Sequence, residues 1–181
     1  MLPAKAEAMF HSGTQQLIDA WTALPDARRI PARADFEPMR MGALVPQLFA
    51  VERQGARLRL TGGWIERLHG GSLRGLDWLT LWREDSRPMV AAAIVQTFRE
   101  ARPVVLAADS ERLDGILEIG IAPLRGVDDV ADRLIGLYQP VSAADRSAES
   151  VGLLSARLSV GVGAVSRPPL SLAAIDGRRI A

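Results

Sequence analysis

Before any strand signal appears, apolar residues recur at helical spacing. Leu17, Ile18, Trp21 and Leu24 fall on one face of a predicted helix that Pro25 ends. Ser12-Gly13-Thr14-Gln15 reads as its capping box, with Ser12 as N-cap and Gln15 reaching back to the Ser12 amide. This stripe must dock on a sheet or on a second subunit. The reading favours the second: a homodimer with Leu17, Ile18, Trp21 and Leu24 as its interface. Residues 26–35 form a basic, proline-punctuated connector, and a short helix is predicted over 36–44, stopped before Pro46.

The period then changes to two. Residues 48–53 and 56–61, joined at Gln54-Gly55, predict a β-hairpin in which Leu58 and Leu60 face inward and Arg57 and Arg59 face water. Gly62-Gly63 and Gly70-Gly71 bracket a short helix over 64–69, and residues 73–82 are irregular and aromatic. Residues 86–100 predict the central helix, with Pro88 in its first turn and Val90, Ile94 and Phe98 stacked at i, i+4, i+8. Three strands follow, over 103–108, 116–124 and 133–141. The order ββ, short helices, βββ predicts an α+β domain, a five-stranded antiparallel sheet with helices packed on one face. The N-terminal helix stands outside that core.

Beyond a polar linker at 142–150, apolar Leu154, Ala156, Leu158, Val160, Val162 and Ala164 alternate with small or polar residues. This extended C-terminal segment has three options: to add a strand at the sheet edge, to dock on the helical face, or to exchange between subunits. Pro168-Pro169, an apolar run over 170–175 and a basic Arg178-Arg179 follow it. The organisation expected is a helix and connector over 1–30, the α+β domain over 31–141, and linker and extension over 142–181.

Composition narrows the function classes. With 181 residues, 48% of them apolar, the default is one well-cored domain. Twenty-two basic residues against 21 acidic ones leave a net charge of +1, so no global field draws nucleic acid or anionic membrane. The chain has no cysteine, which removes disulfides, thiolate metal sites, cysteine nucleophiles and cysteinyl–flavin adducts. No apolar stretch reaches 18 residues and residues 1–10 lack a secretory pattern, so a cytoplasmic location is expected.

Specific residues sharpen the fold. His11-Ser12-Gly13-Thr14 leads the helix carrying Trp21. After it come Arg33-Ala34-Asp35-Phe36-Glu37-Pro38 and Leu44-Val45-Pro46-Gln47-Leu48-Phe49-Ala50-Val51-Glu52. With Leu73-Arg74-Gly75-Leu76-Asp77-Trp78-Leu79, this run resembles a family of bacterial single-domain PAS proteins common in alphaproteobacteria, over roughly residues 11–141. The resemblance implies a PAS fold and a sensory or protein-interaction role without enzymatic activity. A histidine kinase or similar regulator is the partner it suggests. Two positions depart from the family pattern: Leu76 stands where arginine is usual, and Gly63 where threonine is usual. The first removes a charge contact and the second a hydroxyl near the mouth of the expected pocket.

No catalytic motif emerges. Of the two histidines, His69 is the one candidate haem ligand, but its plainer reading is a helix-end imidazole near the C-terminal dipole. The central helix, where a haem-binding PAS domain typically carries its ligand, has no histidine. A non-covalent flavin would want amide side chains on the last strands, where Gln139 is the single support. Glu84, Asp85, Asp109, Glu111, Asp114, Asp128 and Asp129 sit in turns beside arginines, as solvated charge rather than a metal site. Gly161-Val162-Gly163 lacks the lysine of a phosphate loop.

Four tryptophans are the most informative residues. Trp64, Trp78 and Trp82, with Leu68, His69, Ile94 and Phe98, are the candidate pocket for an apolar or planar metabolite. Against this stands the reading that large rings fill the space between short helices and sheet. The expectation is therefore a signalling module acting by protein contact, with a tryptophan-lined small-molecule sensor as the alternative.

Overall fold

The computed structural model describes residues 9–26, 29–141 and 150–163. Most of the expected linker, residues 142–149, lies outside them. So do Pro168-Pro169, the 170–175 run and Arg178-Arg179. The strands are β1 (Leu48–Glu52), β2 (Leu58–Thr61), β3 (Val104–Asp109), β4 (Leu117–Arg125), β5 (Ala131–Pro140) and β6 (Ser155–Gly161). They form one antiparallel sheet in the order β2-β1-β5-β4-β3-β6. The five-stranded α+β core is the expected one, and the C-terminal extension adds a sixth strand beside β3.

Both faces of this sheet are covered, which explains why β4 and β5 read as near-continuous apolar runs. On the inner face lie α2 (Gly63–His69), α3 (Arg87–Glu100) and a 3₁₀ turn at Trp78–Leu81. On the outer face lie α1 (Ser12–Thr22) and the segment running from Ala32 to Gln47. Two glycines permit the close approaches. A Cβ on Gly136 would overlap the Phe49 ring on the inner face and come within 2.9 Å of the Gly120 carbonyl. On the outer face, Leu17 Cδ2 would sit 3.2 Å from a Cβ on Gly120.

The α1 stripe is therefore not an open interface. Leu17 and Trp21 are 1% and 3% exposed within the single chain, Ile18 is buried, and Leu24 packs against the same outer-face cluster. Trp21 Nε1 also donates to the Pro123 carbonyl at 2.8 Å. The expected dimer interface at Leu17, Ile18, Trp21 and Leu24 is corrected accordingly: the chain's own sheet, flattened by Gly120 and Ala122, takes the stripe. The cap differs too. His11 is the N-cap, and its amide donates to Glu118 on β4 at 2.9 Å, while Gln15 reaches forward to Asp19. Over residues 38–47 the expected helix is a 3₁₀ segment broken at Gly42 (φ 56), with Pro46 inside it.

Two bulges redirect side chains that a strict alternation would misplace. Ala50 pairs with Leu60 but Val51 pairs with Leu58, so Arg59 is an extra residue on β2. Leu58 is buried on the inner face, whereas Leu60 turns to the outer face and is 42% exposed. The same happens where Ala107 pairs with Leu158 and Ala108 with Ala156, leaving Arg157 extra on β6. Ala156 then packs against the inner core, and Leu158 and Val160 stand exposed on the outer side. Each bulged arginine binds a carboxylate of the strand opposite: Arg59 to Glu52 at 2.8 Å and Arg157 to Asp109 at 2.7 Å.

The C-terminal segment takes two of its three expected options at once. Ahead of β6, the Val151 amide donates to the Leu68 carbonyl at 2.7 Å and the Leu154 amide to that of Leu81 at 2.9 Å. The Arg83 amide returns a bond to the Leu154 carbonyl at 2.8 Å. This stretch closes over the helical face before the chain enters the sheet.

Because Trp21 is internal, Trp21→Ala should lower unfolding stability by about 3–5 kcal/mol, for the lost ring and the cavity it leaves. Urea denaturation measures that loss and light scattering the subunit number. Unchanged stability with a changed subunit number would return the stripe to an interface.

Candidate functional site

The site expected from the tryptophans forms where the inner face of the sheet meets the helices. Asp77 starts the 3₁₀ turn by accepting the Leu79 amide at 2.9 Å, and this aims Trp78 inward. Trp82 follows the turn, where a bridge to Leu154 holds its backbone. From the sheet, parity places Phe49 on β1 and Tyr138 on β5 beneath them.

The rings interlock. Phe49 lies 5.1 Å from Trp78 and 5.2 Å from Tyr138, centroid to centroid, and Trp78 meets Trp82 edge to face at 5.7 Å. All four are fully or almost fully buried. Trp78 Nε1 donates to the Tyr138 hydroxyl at 3.0 Å, the one polar contact spanning helical layer and sheet within this cluster. Burial pushes the Tyr138 hydroxyl pKa upward, against the lowering effect of the Trp78 bond, so it stays a neutral phenol. His69, at the end of α2, presents its ring edgewise to Tyr138 at 5.9 Å. Burial pulls its pKa down to about 4, so the imidazole is neutral at physiological pH.

The structure brings all seven candidate residues into one region. Trp78, Trp82, Ile94 and Phe98 belong to the inner core, Trp64 and Leu68 pack on its margin, and His69 touches it through Tyr138. What they form is a packed aromatic core. Sequence reasoning missed Phe49, Tyr138, Val151 and Leu154, which complete it. Phe49 and Tyr138 had a signal in the alternation of their strands, but their parity needs the register.

Two buried polar atoms in this region have no hydrogen-bond partner among the described residues: Trp82 Nε1 and His69 Nε2. Phe49, Trp78, Trp82 and Tyr138 are in direct ring contact in this region. Gln139 lies on the outer face, where its Oε1 crowds Gly13 and its Nε2 donates to the Pro140 carbonyl, so it cannot serve a flavin on the inner face.

Several acidic turn residues are ion-paired: Arg83 meets Glu111 at 3.2 Å, Arg157 meets Asp109 at 2.7 Å, and Arg125 holds Asp129 and Asp26. Among the described residues no group of three His, Asp or Glu side chains is placed to hold a metal ion, and no helix is long and apolar enough to cross a membrane. Two surface concavities lie away from the rings. One, of about 540 Å³, is bounded by Arg83, Glu84, Asp85 and Leu153. The other, of about 500 Å³, is on the outer face, between the segment carrying Arg33 and Phe36 and strands β2, β1, β5 and β4.

A family model described as a PAS domain matches residues 9–139, most of the chain. No curated protein matches significantly. Among solved structures, a crystal structure of a Rhodobacter sphaeroides LOV protein aligns at 17% identity and TM-score 0.43, covering 54% of this chain. The chain spans 60% of that protein's length. A structure of the RsLOV d2 variant aligns at 16% identity and TM-score 0.45, covering 74% of this chain and 70% of that one.

The His69 environment gives a pH signature. The unfolded chain takes up a proton near pH 6.5, and the folded ring not until about 4. This stability is fully present above pH 6.5 and is lost as pH falls toward 4, by up to about 3 kcal/mol. Urea titrations across that window should show the decline, and His69→Gln should flatten it. An equal slope in the variant would assign it to other groups.

Proposed function

The chain belongs to the PAS domain family, and on that premise we propose that it is a non-enzymatic sensory and interaction module of bacterial signal transduction. It works in the cytoplasm by contact with a partner regulator, of which a histidine kinase is the class the family suggests. The observation that carries this reading is the filled inner face. Phe49, Trp78, Trp82 and Tyr138 occupy the space between sheet and helices in direct ring contact. A signal that does not enter through a resident molecule there must enter through the surface. Leu158 and Val160, exposed on an edge strand, are the kind of apolar residues that contacts between chains use.

A second reading, a small-molecule sensor, is favoured by one observation. The indole N–H of Trp82, which is 0% exposed and meets no acceptor among the described residues, is costly unless something meets it. A water or a ligand carbonyl would do so. A ligand would have to displace the rings, so binding would change tryptophan emission.

Native mass spectrometry of the protein as purified from cells, with an absorbance spectrum, separates the two. The interaction reading expects no stoichiometric small molecule whose binding depends on Trp82 and no absorbance beyond the aromatic band. A bound small molecule, lost in Trp82→Phe, would overturn it in favour of the sensor. For the kinase partner, the expected readout is a changed autophosphorylation rate when the chain is added to its cognate kinase.

A further inference from the structure

The outer-face concavity carries a chemistry unlike that of the inner core. Its floor is apolar and crosses four strands: Leu60 of β2 is exposed and Ala50 of β1 half-buried, while Ile135 of β5 and Leu124 of β4 form its buried base. Three inter-strand spacings make that floor roughly 14 Å wide. Phe36 and Pro38 wall one side. The rim is cationic, with Arg33, Arg59, Arg74 and Arg133 set against the single lining carboxylate, Glu52.

The four guanidiniums are not equivalent. Arg59 and Arg133 are both spent on Glu52, at 2.8 and 3.0 Å. Arg33 and Arg74 make no ion pair or side-chain hydrogen bond among the described residues, and both are exposed. They approach from opposite sides. Arg33 is on the segment that bridges to β4 at Ala32, and Arg74 is in the loop whose Gly75 amide bonds to Leu58 of β2. The β2 bulge completes the floor, because if Arg59 paired in register the side chain of Leu60 would point to the inner face.

We propose that this groove is a binding site for a small amphipathic anion, a carboxylate on an extended apolar body, with Arg33 or Arg74 holding the carboxylate and Leu60 and Ala50 meeting the chain over a base of Leu124 and Ile135. An apolar floor with a few convergent polar groups at this volume is the usual form of a small-molecule site. Guanidinium is the group that recognises carboxylate in two-point geometry. A walled concavity favours a small molecule over a protein partner, which would lie on a flatter and larger surface. The site is separate from the inner-face rings and stands independently of the partner-contact reading.

The test is a titration of the whole chain with decanoate, followed by amide chemical shifts in the protein's NMR spectrum. Saturable shifts are expected at Ala50, Leu60, Leu124 and Ile135. Decanol, the same body without charge, should bind at least about ten-fold more weakly, as should the Arg33→Gln/Arg74→Gln double variant. Among the described residues those two side chains hold nothing else, so the variant's melting temperature should match wild type. Equal binding of decanol, or full binding by the double variant, would overturn the proposal. So would shifts scattered over the surface. A Glu-rich decapeptide that shifts these residues where decanoate does not would overturn it in favour of a protein ligand.

Discussion

The bond from Trp78 Nε1 to the Tyr138 hydroxyl joins the two layers of this molecule at a point that water does not reach. Both partners are fully desolvated, so losing either leaves a buried polar group unmet, at about 1–3 kcal/mol. Around that bond the Phe49 and Trp82 rings set the spacing between sheet and helices. Phe49 in turn depends on Gly136, because any side chain there would occupy the ring's place. The 3₁₀ turn, the end of α2 and the C-terminal stretch at 150–154 all meet this cluster.

The outer face is organised by a different constraint. Covering a sheet on both sides requires something for the side away from the helices, and α1 with the 32–47 segment supplies it. Coverage is incomplete at the β2 end, where two guanidiniums have no partner among the described residues above an apolar floor. The molecule thus has a filled interior and an open, charged groove on the opposite side of the same sheet. Chemistry with small anions and contact with protein partners would use different surfaces.

The bulged arginines show how local charge shapes a strand. Arg59 and Arg157 each sit at an extra position and each reach a carboxylate on the strand alongside. In both pairs the guanidinium is exposed and the carboxylate half-buried. Their consequence is geometric, since Leu60, Leu158 and Val160 face outward downstream of them. An alternation read from sequence places Leu60 with Leu58, and the tertiary pairing separates the two.

Much of the architecture was legible in the residues themselves. Hydrophobic period and glycine–proline punctuation identified α2, α3, the hairpin and β3 to β5, because those signals are local and follow from the periods of helix and strand. The PAS resemblance was carried by runs of adjacent residues, and the absence of cysteine excluded adduct chemistry outright. The rest depends on surfaces meeting across long sequence separations. An amphipathic stripe states that α1 must be covered, but not by what. Gly120 and Ala122, a hundred residues away, make the chain's own sheet the cover. Four tryptophans state that a large aromatic volume exists, while whether it is hollow depends on Phe49 and Tyr138 arriving from two strands in register. Period determines which residues share a face within one element, and tertiary packing decides what that face meets.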